Sequence, residues 1–279
     1  MLIMSCDAYR DLWTPFFTLF ARHWPDCPFR IYLGAEKHAC RHPGVTTLSS
    51  PRDGRDWGGR LRDYLMQLTP PYVIVMLDDF FLRRPTKSTQ VLQCLAFARK
   101  VHAVQVRLIP RPGPTDLVGG EELVGACAVG LPYRLSSQAA IWSRMDLVKF
   151  AHAGESIWEF EHLGNERAME YADGFYAVWR PVLKYEGVFA HHVVEKGKWF
   201  PHEKWIFGRR NVGCDFAARG TLSPAYLAAY HLAQMFDRVL FFFPWRVKKR
   251  IKMQVKRILA PLLGAQFKSM GGIAGKAEK

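Results

Sequence analysis

Tyr72-Val73-Ile74-Val75-Met76-Leu77-Asp78-Asp79-Phe80-Phe81-Leu82 is the stretch on which the reading of this chain turns. Six consecutive apolar or aromatic residues, mostly of β-favouring types, run straight into two adjacent carboxylates. The run is short and follows Pro70-Pro71, so it reads as a buried central strand. Two acids at the carboxyl end of such a strand are costly unless something cationic meets them. In an open α/β sheet that edge is also where ligands bind. Hard carboxylate oxygens suit Mg²⁺ or Mn²⁺, so a divalent metal carrying a diphosphate is one reading of the pair. A strand that ends in a solvated acidic turn is the other.

Outward from this strand the chain alternates. Leu2 to Cys6 reads as a first strand, and Asp7 as the cap of a helix from about Tyr9 to His23, with Leu12, Phe16, Leu19 and Phe20 on one face. Phe29 to Leu33, closed by Gly34, and Val45 to Leu48 are further strands. The Gly-, Pro- and charge-rich run from Ser49 to Gly59 is a loop, and Arg60 to Leu68 is a helix leading into the Asp78-Asp79 strand. Lys87 to Lys100 is helical and Val101 to Ile109 a strand. After a Gly/Pro-rich connection come β-like segments at Ala126–Leu131 and Tyr133–Trp142, helices at Ser143–His152 and from Ile157, and late strands at Gly174–Trp179 and Leu183–Ala190. Strands alternating with helices over the first 110 residues predict an α/β fold: a mixed, largely parallel sheet flanked by helices. The expected domains are a catalytic domain over 1–205, divided at about residue 110 into a nucleotide half and an acceptor half. A helical extension follows over 206–263, then a disordered tail over 264–279.

With 279 residues, 49% of them hydrophobic, the chain can fill a full core. Its net charge of +14 predicts an anionic partner: a membrane surface, a nucleic acid or a phosphorylated substrate. The excess is uneven. Arg246, Lys248, Lys249, Arg250, Lys252, Lys256 and Arg257 crowd one short segment without an acid. No nucleic-acid motif accompanies the charge, and neither GxGxxG nor a P-loop is present. The six cysteines form no CxxC pair and read as reduced and mostly buried, which suits the cytoplasm. His38, Cys40 and His42 alternate, a poor tetrahedral cage without further ligands. Met1 leads directly into a strand, so no signal peptide is expected. No apolar run approaches the ~20 residues of a spanning helix.

Three further patches could carry chemistry. Glu155, Glu159 and Glu161 lie within seven residues, interleaved with Trp158 and Phe160. Aromatic rings pack against sugar faces, and a carboxylate beside them can take a proton from an attacking hydroxyl. On a helix Glu155 and Glu159 would share a face; acids serving the helix dipole are the plainer reading. His191 and His192 near Lys196 and Lys198 could complete a metal site and grip a diphosphate, or simply be surface residues. Trp57-Gly58-Gly59-Arg60 opens a helix and can bring backbone amides close to an anion.

Near the end, Phe241-Phe242-Phe243-Pro244-Trp245 precedes Val247, Ile251, Val255, Ile258, Leu259 and Leu262, an apolar stripe on an otherwise basic helix. That pattern fits an interfacial membrane anchor. Each basic residue near an anionic leaflet contributes about 1 kcal/mol. A helix packed on the domain with a solvated basic face is the alternative.

Taken in order, Ser5-Cys6-Asp7-Ala8-Tyr9 with Leu12-Trp13, Leu77 to Leu82, Tyr133 to Trp142, and Gly154-Glu155-Ser156 with Trp158 to Glu161 resemble bacterial glycosyltransferases of surface-polysaccharide and lipopolysaccharide synthesis. The resemblance covers about Leu2 to Trp199 and implies a GT-A-like fold. It implies that Asp78 and Asp79, with His192 or else His191, hold Mn²⁺ or Mg²⁺; Asp78-Asp79-Phe80 departs from the DxD pattern at its last position. It further implies donor contacts from Ser5, Cys6, Asp7, Trp57, Arg60, Asp78, Lys196 and Lys198, and acceptor contacts from Ser137, Gln138 and Trp158. The base would be Glu159, or else Glu161 or Glu155. The expected activity is inverting transfer of a sugar from a nucleotide donor to a hydroxyl of a lipid-linked glycan, in the cytoplasm and peripheral to the inner face of the membrane. A nucleotide-sugar hydrolase using the same donor site, a basic nucleic-acid-binding protein and a non-catalytic scaffold are the alternatives.

Overall fold

A computed structural model describes residues 1–187, 192–239 and 254. They fall into two compact units, Met1–Gly220 and the residues from Thr221 onward. In the first unit nine strands make one sheet: β1 (Leu2–Met4), β2 (Ile31–Ala35), β3 (Val45–Ser49), β4 (Tyr72–Leu77), β5 (Gln105–Arg107), β6 (Asp116–Val118), β7 (Glu121–Ala126), β8 (Ala140–Ser143) and β9 (Phe175–Val178). Their order is β3-β2-β1-β4-β8-β5-β9-β7-β6. β3, β2, β1 and β4 are mutually parallel, and β8 runs against both β4 and β5. β9 lies parallel to β5, while β7 runs against β9 and β6. So β7 and β8 oppose the other seven, and the sheet is mixed and mostly parallel, a Rossmann-like α/β fold. A short β10–β11 ribbon (Val194–Glu195, Lys198–Trp199) stands apart from it.

The period of two along each strand divides the core. Ile3, Ile74 and Met76 point to one face, against Phe16, Phe17 and Phe20 of α1 (Trp13–His23) and Val91, Cys94 and Phe97 of α3 (Ser88–Lys100). Leu2, Met4, Val73 and Val75 point to the other. There they meet Leu61 and Leu65 of α2 (Trp57–Met66), Leu147 and Phe150 of α4 (Arg144–Phe150), and Phe160 of α5 (Ile157–Ala168). At Gly34 a Cβ would stand 2.4 Å from the Tyr64 ring, so only glycine lets β2 and α2 approach this closely.

Several sequence expectations change. Asp7 caps nothing: a 3-10 turn over Asp7–Leu12 precedes α1, and the Asp7 carboxylate instead accepts the backbone N–H groups of Glu36, Lys37 and His38. The Tyr133–Trp142 strand shrinks to β8. Side chains take the backbone donors ahead of it: Asn165 accepts from Leu135, Glu161 from Ser137, and the Tyr185 hydroxyl from Ala139. The Val101–Ile109 strand is only β5, the expected strand at Ala126–Leu131 lies earlier as β7, and residues 183–187 form no strand. His38 pairs with Asp7 and His42 packs on Phe17, so the His38-Cys40-His42 trio does not converge. All six cysteines are free thiols.

In the second unit α7 spans Pro224–Val239. No helix among the described residues is long and apolar enough to cross a membrane. The basic stripe of 246–262, save Gln254, and the tail expected to be disordered lie outside the described residues.

Candidate active site

β1 and β4 are adjacent and parallel, so Ser5 and Asp78 leave the sheet side by side. The Asp78 N–H donates to the Met4 carbonyl at 3.2 Å and carries that pairing one step beyond the strand. Asp78 is buried, and its carboxylate accepts a short hydrogen bond from Ser5 Oγ. Ser5 Oγ in turn accepts from Trp13 Nε1 at 2.6 Å. Asp79 keeps some surface, but its Oδ1 is sealed from solvent and has no hydrogen-bond partner among the described residues. Burial, joined at Asp78 by the charge of Asp79, keeps the pair from ionising freely. Asp78 is pushed well above the usual carboxylate range by burial and by Asp79, and Asp79 rises to about 6 through burial, against the pull of His192. Cys6 beside them is pushed up to about 12 by burial and the Asp78 charge.

His192 faces this pair from the next segment. The Val193 N–H donates to the Asp79 carbonyl at 3.0 Å, and His192 Nε2 lies 3.0 Å from Glu195. Burial opposes protonation of His192, but Glu195, Asp79 and Glu203 outweigh it and raise its pKa. His191 lies outside the described residues. Lys196 and Gly197 form the two-residue turn of the β10–β11 ribbon with φ of 49° and 75°, left-handed at both positions as such a turn requires. That turn presents Lys196 and Lys198 to an open cleft of about 830 Å³, whose other walls are Asp7, Ala8, Arg10, Asp11, Asp215, Ala218 and Arg219. Arg219 pairs with Asp11 at 2.5 Å, lies 4.2 Å from the centre of the Tyr9 ring, and is close enough to draw Asp78 downward. Arg10, Asp11, Asp215 and Arg219 carry no local signal in the sequence. Arg219 reaches Asp11 across 208 positions, and only the fold joins them.

The expected donor residues divide in two. Lys196, Lys198 and Asp7 line the cleft. Arg60, 2% exposed, is occupied below it, donating to the Ser5 carbonyl at 2.6 Å and pairing with Glu36 at 3.0 Å. Trp57 packs on Phe160 with ring centres 4.9 Å apart. Arg60 ties the loops after β1 and β3 together through the Ser5 and Gly54 carbonyls, Trp57 packs against α5, and neither lines the cleft.

On the other flank Phe80 stacks on Tyr185 at 4.6 Å, and the Tyr185 hydroxyl donates to Gln138 Oε1 at 3.0 Å. Gln138 and Ser137 therefore stand beside the Asp78-Asp79 turn. Glu161 Oε1 accepts from Ser137 N at 2.7 Å, Ser137 Oγ at 2.8 Å and Ser136 Oγ at 3.1 Å. Glu155 precedes α5 instead of sharing a helical face with Glu159, and it is held by Arg167 through both oxygens at 2.7 and 2.9 Å. Glu159 is exposed and closes a capping box with Ser156, whose bonds hold it below the usual carboxylate range. Trp158 is half exposed on the same turn. Among the described residues no group of three His, Cys, Asp or Glu side chains stands ready to enclose a metal.

No protein-family model matches the chain, and no curated protein does. Solved structures are similar to it in fold. Residues 1–349 of TarS from S. aureus align with a TM-score of 0.44 at 11% identity, over 63% of this chain and 56% of that one. A cytidylyltransferase from Leptospira borgpetersenii gives 0.39 at 12%, over 61% and 70%. CMP:2-keto-3-deoxy-manno-octonic acid synthetase complexed with CTP gives 0.38 at 12%, over 63% and 86%. The chain thus spans a little over half of the TarS fragment it is similar to.

Proposed function

We propose that the protein is a glycosyltransferase that moves a sugar from a nucleotide-sugar donor to a hydroxyl of a lipid-linked or polysaccharide acceptor. The observation that carries this reading is the pair of carboxylates at the β1/β4 edge, one oxygen unpartnered, beside a cleft bearing Lys196, Lys198, Arg10 and Arg219. Buried acids next to a cationic cleft suit a cation and a diphosphate together. The unpartnered Asp79 Oδ1 suits a divalent cation, toward which Asp78 and His192 would have to turn, since the three are not gathered into a ligand set among the described residues. Three such donors do not make a closed cage here, so donor oxygens and water would complete the shell. Such a cation, when bound, would neutralise charge developing on the leaving diphosphate.

In this reading the acceptor hydroxyl attacks the anomeric carbon as the bond to the diphosphate breaks, and the proton passes to a carboxylate. We take Glu161 as that base. Oε1 is fixed by Ser136 and Ser137, which leaves Oε2 for the proton, whereas Glu155 and Glu159 are held by Arg167 and the capping box. Ser137, Gln138 and Trp158 would meet the acceptor, and Lys196 and Lys198 the departing diphosphate. Inversion is expected of a base on the acceptor side. Placement at a membrane surface rests on the basic stripe beyond Phe241.

A thermal-shift screen of the full chain tests the reading, using nucleoside diphosphates and nucleotide sugars with and without Mn²⁺. A ligand at a hundred times its Kd stabilises the folded state by about 2.7 kcal/mol. One nucleotide should raise the melting temperature selectively, and the matching nucleotide sugar should give a glycan product. No shift from any of them, in protein that melts cooperatively, would overturn it. Free sugar released whether or not acceptor is present would instead assign the site to hydrolysis.

A further inference from the structure

A second cleft, of about 570 Å³, shares no lining residue with the first. It is walled by Arg83, Arg84, Glu186, Trp205, Arg209 and Arg210, with Gly187 and Ile206. Its shape comes from α6 (Pro201–Gly208), which starts on a proline, turns Glu203 and Phe207 inward and leaves Trp205 62% exposed. One of its four arginines is spent on structure. Arg83 donates to the fully buried Glu203 at 2.5 Å and to the Tyr185 carbonyl at 3.0 Å. The one acid in the wall, Glu186, is answered from outside by Arg111 at 2.5 Å.

Arg84, Arg209 and Arg210 are all exposed, and none has a carboxylate partner among the described residues. Arg209 lies 4.4 Å from the centre of the Trp205 ring, and Arg210 5.7 Å from that of Phe207. These aromatic contacts steady the guanidinium groups without neutralising them. Three uncompensated cations in one concavity repel one another, and a ligand of opposite charge relieves that repulsion. Guanidinium forks match phosphate oxygens in pairs, and an open indole face beside them can cover an apolar or ring-shaped neighbour.

We propose that this cleft is a second anion site, built for a phosphoryl or pyrophosphoryl group and distinct from the cleft assigned to the donor. One wall is Glu186 and Gly187, which follow Tyr185, and Tyr185 stacks on Phe80. The second cleft thus connects, through Tyr185, to the turn that follows Asp78-Asp79. The group could belong to a phospholipid head or to a soluble phosphorylated molecule. The proposal does not depend on what the first cleft binds.

Titration of the full chain with inorganic pyrophosphate, read by calorimetry and tryptophan fluorescence, tests it. Three proteins are compared: wild type, Arg84→Gln/Arg209→Gln/Arg210→Gln, and Lys196→Gln/Lys198→Gln. Wild type should bind pyrophosphate in at least one step. The triple arginine variant should lose one by roughly tenfold or more, while the double lysine variant keeps it. Trp205→Phe should remove the fluorescence change that accompanies that step. Co-sedimentation with vesicles of phosphatidylglycerol, against phosphatidylcholine alone, separates the sources. If the triple variant loses vesicle affinity as well, a lipid head is the occupant; if it loses only pyrophosphate, the occupant is soluble. If the triple variant fails to melt cooperatively, Arg84→Gln alone supplies the comparison. Unchanged binding of both pyrophosphate and vesicles by folded arginine variants would overturn the proposal.

Discussion

Asp78-Asp79 and the glutamates of residues 155–161 lie at the same edge of the sheet, in opposite physical states. The first pair is enclosed, mutually repelling and short of partners, with no hydrogen bond to Asp79 Oδ1 among the described residues. The glutamates are satisfied: Glu155 by Arg167, Glu159 by the Ser156 cap, and Glu161 through one oxygen by two serines. A carboxylate whose bonds are already made contributes to the fold. One held in the folded state without partners weakens it, and persists where a ligand supplies what is missing. The difference separates ligand-binding acids from structural ones more sharply than their spacing does.

The largest effect expected from breaking this contrast is at Asp79. Asp79→Asn should lower transfer by about 10²–10³-fold, the scale of losing one electrostatic stabiliser. It should also stabilise the ligand-free protein above neutral pH. The folded-state pKa is raised from 3.8 to about 6, so between those values the folded chain holds a proton that the unfolded chain has released. Stability of the wild type therefore falls as pH rises through that window. The variant and wild type should melt together near pH 3 and part progressively up to about pH 6, the variant melting higher. Nucleotide donor with Mn²⁺ should narrow the gap by stabilising only the wild type. Melting curves from pH 3 to 8 check the sign, and an Asn variant less stable at pH 8 would contradict it.

Glu161 tests the other half of the contrast. In Glu161→Gln the amide oxygen can still accept from Ser136 and Ser137, so stability should change by less than about 0.5 kcal/mol. Loss of a proton acceptor should nonetheless cost about 10²–10⁴-fold in kcat. A variant that keeps wild-type kcat would leave Glu161 a purely structural residue.

The sequence made the left half of the sheet legible because local rules suffice there. The apolar run of β4 ends in two acids, and β1 precedes an amphipathic helix. The segment at 133–139 was not legible. Its alternation looks like a strand, but Asn165, Glu161 and Tyr185 side chains take the backbone groups that a neighbouring strand would need. Lys196 and Lys198 were visible as a basic turn beside His192. Arg219, Arg10 and the arginines of the second cleft were not, because nothing adjacent to them in sequence marks them. Asp7 misled for the same reason: its partners are the backbone groups of Glu36, Lys37 and His38, about thirty residues away.

The buried arginines show how that illegible segment is held. Arg107 is fully enclosed and donates to the carbonyls of Tyr133 at 2.6 Å, Arg134 at 2.8 Å and Pro112 at 2.9 Å. Arg134 donates in turn to Cys127, Ala168 and Tyr171. Neither is paired with a carboxylate among the described residues, so each charge is offset mainly by carbonyl dipoles, helped by the Cys127 sulfur 3.1 Å from Arg107 and by the Phe175 ring beneath Arg134. Arg107→Met relieves the cost of a buried charge but strands three acceptors, each worth about 1–3 kcal/mol. A net loss near 3 kcal/mol is expected in chemical denaturation. Because Ser137 and Gln138 lie on the released segment, KM for the acceptor should rise with it, while donor affinity measured by thermal shift stays close to wild type.

The smallest effect sharpens the contrast most, because it sets two roles of one residue against each other. Glutamine can occupy the third position of a capping box, so Glu159→Gln should leave stability almost unchanged, while Glu159→Ala should cost roughly 0.5–1 kcal/mol. If Glu159 serves only the cap, both variants keep kcat within about twofold, since the Ser156 bonds that depress its pKa also engage its Oε2 in the helix start. If it were the base, the glutamine variant would fold as well as wild type and turn over a hundredfold or more slowly. Stability and rate thus move independently at this position. Measuring both on the same pair of variants decides whether a satisfied carboxylate at this edge can also act on substrate.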